Sequence, residues 1–144
     1  MKDKVVIIGG GPSGMIAAGY AASRNKDVHL YEKNERLGKK LFITGKGRCN
    51  FTNASDIEII IENIKRNPYF LYSSLYSFTN TDLINFFSNL GVKSKIERGN
   101  RVFPESDKSS DIIKALCRFM EENKANIHLN RNIKNILIDK EKSI

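Results

Sequence analysis

From Lys4 to Gly9 the chain is an almost unbroken apolar run, Lys-Val-Val-Ile-Ile-Gly. A strand buried on both faces of a parallel sheet reads this way, because helices cover both of its surfaces. Pro12 to Arg24 predicts a helix, with Ala17, Ala18, Ala21 and Ala22 favouring it and giving it a slim face. Asp27 to Tyr31 predicts a second short strand. Strand, helix and strand together make a right-handed βαβ unit over residues 3–32.

The next stretch, residues 33–53, holds Gly38, Gly45 and Gly47 with few hydrophobic positions. A loop of that length inside a compact domain is usually functional or disordered. Beyond it the pattern is helical over 56–90. One helix runs from Ile57 to Arg66, a turn falls at Asn67-Pro68, and Tyr69 to Tyr76 is helical. A further helix reaches Asn89, capped by Thr79 or Thr81 and ended by Gly91. Val92 to Glu97 alternates as a strand does. Arg98-Gly99-Asn100 then turns the chain so that Arg101 to Phe103 returns as a hairpin over 92–104. Ser109 or Ser110 caps a helix from Asp111 to about Asn123, with Ile112, Ile113, Leu116, Phe119 and Met120 on one face. Asn126 to Asn130 predicts a strand, and Ile133, Ile136 and Ile138 another within 109–144. The class is α/β: a Rossmann-like dinucleotide-binding domain with a parallel sheet and a small β-hairpin. The 144 residues suit one domain, and no repeat or linker interrupts them.

Gly9-Gly10-Gly11-Pro12-Ser13-Gly14 fits the G-x-G-x-x-G pattern. The pattern alone is weak; here it follows a strand and opens a helix, as its mechanism requires. Gly9 allows the tight turn, Gly11 lets a pyrophosphate approach the backbone, and Gly14 lets helix and strand pack closely. Amide groups and the dipole at the helix start favour the phosphate charge, with Ser13 in that first turn. Pro12 suits the first turn because the N–H it lacks has no helical partner there. Glu32 ends the second strand about 18 residues after Gly14, where a carboxylate meets ribose hydroxyls. An acid there disfavours the extra phosphate of NADP. Lys33 lies beside it, near adenosine or solvent.

Composition narrows the class further. The chain is 40% hydrophobic and 28% charged, without an apolar run long enough to span a membrane and without a signal-type leader. A cytoplasmic protein with no membrane association is expected. The formal charge of +8 is scattered, and its densest stretch, Lys33 to Arg48, is interleaved with glycines. Aromatic residues neighbour basic ones at Tyr69, Phe70 and Phe103 without a recognised RNA-binding pattern, so nucleic acid is an unfavoured partner. Cys49 and Cys117 are far apart and form no CxxC, which argues for reduced thiols and against zinc. No metal site and no Ser-His-Asp set stands out, and His29 and His128 fall in strands as structural residues.

The fingerprint by itself leaves FAD and NAD open. The N-terminal position of the unit and the glycine-rich basic loop after the acid favour FAD. That loop, Leu37-Gly-Lys-Lys-Leu-Phe-Ile-Thr-Gly-Lys-Gly-Arg-Cys-Asn-Phe-Thr-Asn53, together with Gly99-Asn-Arg-Val-Phe-Pro-Glu-Ser-Asp-Lys108, carries a resemblance. The chain resembles the BaiN-like, or aminoacetone-oxidase-like, family of NAD(P)/FAD-dependent oxidoreductases over essentially its whole length. Family members are longer, so the resemblance implies an N-terminal fragment of a larger flavoprotein. It implies FAD as cofactor, NAD(P)H as an electron donor and a small-molecule substrate. Residue by residue, it assigns Gly9, Gly11, Ser13 and Gly14 to the pyrophosphate and Glu32 to the ribose. It also sets Lys40, Thr44, Gly45, Gly47, Arg48, Cys49 and Asn50 near FAD. Asn132 and Ile133 are expected to offer backbone groups to adenine, and Arg101 to Pro104 to approach flavin or substrate. The implied function is the FAD-binding portion of an oxidoreductase that moves hydride between FAD and substrate or NAD(P)H. An NAD-binding dehydrogenase domain and a non-enzymatic nucleotide- or RNA-binding module are the alternatives. Substrate, catalytic acid or base, and oligomeric state are not fixed by sequence.

Overall fold

A computed structural model describes residues 2–137. Where the length suggests one domain, the fold divides into two compact units: Met1–Lys39 with the chain from Met120 onward, and Lys40–Phe119.

The first unit is a parallel sheet of three strands, β1 (Lys4–Ile8), β2 (Asp27–Tyr31) and β6 (Asn126–His128), in the order β1-β2-β6. Val5 lies opposite Val28, Ile7 opposite Leu30, and Tyr31 opposite His128. Helix α1 (Pro12–Ser23) crosses over and packs on β1 and β2. Its Met15, Ala18, Gly19 and Ala22 are buried, as are Val28 and Leu30 on the strand beneath. These elements match the expected βαβ unit to within one residue.

Two expectations for this unit need correction. β1 is not buried on both faces: Val6 and Ile8 are 54% and 53% exposed. The physical reason is that α1 packs over the face carrying Ile7 and Leu30, whereas Val6 and Ile8 lie on the opposite face. No strand forms at Ile133 or Ile136, where residues 131–137 lack regular structure. Ile138 lies outside the described residues. β6 is also shorter than expected, stopping at His128.

The second unit holds a three-stranded antiparallel sheet, β3 (Thr52–Asn53), β4 (Ser94–Glu97) and β5 (Arg101–Pro104), in the order β3-β5-β4. The hairpin is as expected, turning at Gly99 and Asn100, both at positive φ. β3 was hidden in the predicted loop. So were helix α2 (Lys39–Phe42) and a 3-10 turn at Thr44–Gly47. Helix α3 (Ile57–Glu62) is shorter than its pattern. Tyr69 to Tyr76 splits into a 3-10 turn, Pro68–Leu71, and helix α4 (Tyr72–Ser77). Helix α5 (Asn80–Asn89) starts from a reciprocal cap between Thr79 and Asp82 and ends before Gly91. Helix α6 (Ser109–Glu122) begins two residues earlier than expected. Ser109 is buried inside it, and its hydroxyl donates to the Phe42 carbonyl rather than capping. The core of this unit gathers Ile61, Phe87, Val92, Val102, Phe103, Ile112 and Leu116, all buried.

Candidate functional site

The glycine turn grows directly out of the sheet. The Gly9 amide donates to the Tyr31 carbonyl at 2.8 Å, so the β1–β2 ladder continues one residue past Ile8. Gly9 then takes φ +106°, a conformation costly for any residue with a Cβ. Gly11 stands at the N-cap of α1 in extended conformation, and a Cβ there would meet no protein atom within 4 Å. Its lack of a side chain therefore relieves no contact among the described residues. Gly14 is the opposite case. A Cβ on it would overlap the Gly9 carbonyl oxygen, with Ile7 Cγ2 at 3.5 Å. Helix and strand touch through that missing side chain. Pro12 sits at the first helical position, and the amides of Ser13 and Gly14 lie in the turn whose N–H groups have no intrahelical acceptor.

Glu32 closes the other side of the turn. Only 7% exposed, it accepts from the Gly10 amide at 2.6 Å on Oε2. Oε1 accepts from the Asn34 amide at 2.8 Å and from Asn34 Nδ2 at 2.5 Å. Burial pushes its pKa up. The Asn34 and Gly10 amides, the Asn34 side chain and the nearby Lys33 charge outweigh that and hold it below the ordinary glutamate value. The group is thus an anchored carboxylate, with acceptor capacity left on Oε2 for a ribose hydroxyl.

A cleft of about 180 Å³ opens at this point, lined by Gly9, Glu32, Lys33, Asn34, Arg131, Asn132 and Ile133 among others. It brings Gly9 and Glu32 together with Lys33 and Ile133, as the sequence suggested. The 130s segment is pinned there by two backbone bonds, Arg131 amide to Glu32 carbonyl and Asn130 amide to Asn34 carbonyl. Sequence reasoning missed Asn34 and Arg131, and also Leu37 and Gly38. The Gly38 amide bonds the Gly10 carbonyl, and Leu37 lies where a Gly10 side chain would go. An Asn two residues after the strand-ending acid is the signal that was available.

The remaining expected residues belong to the second unit. Lys40 is exposed on α2. Thr44 donates its hydroxyl to the Leu41 carbonyl and accepts the Cys49 amide on its own carbonyl. Gly45 and Gly47 take positive φ, and a Cβ on Gly45 would come within 2.9 Å of the Asn50 amide nitrogen. Asn50 donates its side-chain amide to the Thr52 and Val102 carbonyls, stitching the loop to β5. Arg48 is held by acids of the same unit. Its guanidinium binds Glu97 and Asp107 and lies 4.3 Å from the centre of the Phe103 ring. Lys95 joins the same network through Asp107 at 2.5 Å. Hydrogen bonds from Arg48 hold Glu97 below its ordinary pKa, and those from Lys95 and Arg48 do the same for Asp107. Cys49 is fully buried at φ +61°, and burial pushes its thiol up. These two residues secure the loop.

His29 and His128 contact each other, Nδ1 to Nε2 at 2.9 Å, with the Tyr31 ring stacked on His128. No cluster among the described residues offers three or more metal-ligating side chains, and no helix there is long and apolar enough to cross a membrane.

A strand-turn-helix with an open glycine at the helix N-cap and an anchored acid at the end of the next strand is the arrangement of a Rossmann-type dinucleotide-binding domain. The chain belongs to the HI0933-like Rossmann domain family, whose model matches residues 3–144. It is 33% identical over 128 residues to a 3-dehydro-bile acid delta(4,6)-reductase of Clostridium scindens, covering 88% of this chain and 31% of that protein. It is 27% identical over 137 residues to a ribosomal RNA dihydrouridine synthase of Escherichia coli, covering 93% of this chain and 33% of that one. The chain therefore spans about a third of the length of these curated relatives. Among solved structures, glycine oxidase from Bacillus cereus shares the fold with a TM-score of 0.53 at 15% identity, over 99% of this chain and 50% of that one.

Proposed function

We propose that this chain grips the ADP half of FAD, with the pyrophosphate over Gly9, Gly11, Ser13 and Gly14 and the ribose on Glu32. The observation that carries the reading is the pairing of an open Gly11 with a Glu32 carboxylate fixed by the Gly10 amide. Adenine lies against Asn132 and Ile133 beside Lys33 in the same cleft. The resemblance also assigns Lys40, Thr44, Gly45, Gly47, Arg48, Cys49 and Asn50 to FAD, and that assignment is part of the proposal.

Bound FAD, reduced by NAD(P)H, supplies a hydride. The two relatives are named for substrates of unlike size, a 3-dehydro bile acid with Δ4,6 unsaturation and a uridine of ribosomal RNA. Both substrates contain a carbon–carbon double bond conjugated to a carbonyl. Saturating it adds hydride at the far carbon and a proton at the carbon next to the carbonyl. We extend that reaction class to the protein of which this chain forms the FAD-binding portion.

Purified chain titrated with FAD tests the first half of the proposal. Saturable binding with a shifted flavin absorbance is expected, and a colourless protein that takes up NADH instead would overturn it. For the second half, the flavin of the NADPH- or NADH-reduced protein should reoxidise without oxygen when a conjugated enone is added. A flavin that stays bleached would reject this reaction class.

A further inference from the structure

We propose that Asn34 is a specificity-determining residue, filling one oxygen of the Glu32 carboxylate so that the other receives a single ribose hydroxyl; this rests on the reading of Glu32 as the ribose acid and deepens it. An ionised carboxylate offers about two acceptor positions on each oxygen. On Oε1 both are taken, by the Asn34 amide at 2.8 Å and by Asn34 Nδ2 at 2.5 Å. On Oε2 one is taken, by the Gly10 amide at 2.6 Å. Among the described residues nothing fills the remaining position. A carboxylate with both oxygens free can clasp the two hydroxyls of a ribose, one on each oxygen. This one has room for one hydroxyl only.

Asn34 is held in this role from several sides. It is half-buried beside the buried Glu32. Its Oδ1 accepts from Lys39 Nζ at 3.5 Å, which leaves Nδ2 as the end that meets the acid. Its backbone carbonyl accepts the Asn130 amide at 3.0 Å, next to the Arg131 amide bond to the Glu32 carbonyl at 2.8 Å. The acid, the asparagine and the segment that brings Arg131, Asn132 and Ile133 to the cleft therefore hold one another in place. Burial leaves little water to serve the carboxylate, so these protein donors decide what it can still accept. The amides that hold its pKa down keep it ionised and acceptor-only.

The test is calorimetric titration of the purified chain with ADP, 2′-deoxy-ADP and 3′-deoxy-ADP. One of the two deoxy analogues should bind as ADP does. The other should bind roughly ten- to a hundredfold more weakly, the loss of one hydrogen bond to a charged group. Asn34→Ala empties one position on Oε1, while the backbone amide keeps the other. In that variant the analogue that wild type accepts as well as ADP should fall about threefold or more behind ADP, because the second hydroxyl gains an acceptor. If Asn34 were only structural, the variant would weaken all three ligands by the same factor, and that result would overturn the proposal. Equal losses for both analogues in the wild-type chain would overturn it too, with Glu32 still the ribose acid. If neither analogue were weaker than ADP, the ribose would not lie on Glu32 and the proposal would fall with that assignment. The wild-type comparison decides whether or not the variant folds. Failure of the FAD reading would appear separately, as wild-type chain that binds no ADP.

Discussion

The Gly10 amide donates to Glu32 Oε2 across 2.6 Å, so the glycine turn and the acid that ends β2 are one hydrogen-bonded unit. Glu32→Gln would aim an amide N–H at one of the donors now facing the carboxylate. We expect a loss of about 1–3 kcal/mol in urea unfolding, as for a buried donor left unsatisfied, together with weaker FAD binding.

The same carboxylate sets a pH dependence. Its folded pKa is lowered, so the stability it contributes is complete above the unfolded value near 4.5 and is lost as pH falls through the folded one. The stability gap between wild type and Glu32→Gln should therefore be constant from pH 6 upward and shrink below about pH 4.5. A gap that widens on acidification would contradict the assignment.

Gly11 and Gly14 should separate binding from folding. Gly11→Val projects into open space, so its melting temperature should stay near wild type while FAD affinity drops at least tenfold. Gly14→Ala collides with the Gly9 carbonyl and should cost about 1–3 kcal/mol of stability. Thermal melts and FAD titrations of both variants make the comparison.

Arg48 should stabilise the loop through its ion pairs. Arg48→Ala is expected to lower the melting temperature by a few degrees, and Glu97→Gln/Asp107→Asn should reproduce much of that effect. Measured together, the three changes should be less than additive, because they break one network.

Cys49 should resist alkylation in the native chain, since its buried thiol has a raised pKa. Peptide mapping after iodoacetamide should find Cys49 modified at an appreciable rate only in denaturant.

What was legible in the sequence was local. The run Asp27–Tyr31, the glycines placed between strand and helix, and the Thr79 cap each follow from neighbouring residues, and the structure has them where expected. What was not legible depends on partners distant along the chain. β3 has two residues, too few for any period, and exists because the Phe51 amide and Thr52 meet Val102. The ion pairs of Arg48 with Glu97 and Asp107 join positions about fifty residues or more apart, which no local pattern encodes. The exposure of Val6 and Ile8 follows from which face α1 covers, which hydrophobicity along one strand does not encode.

The Gly9 amide bond to Tyr31 has a thermodynamic consequence. A turn that is the last rung of a sheet has already lost its conformational freedom. A ligand received at this turn would therefore lose little of its contact energy to ordering the receptor.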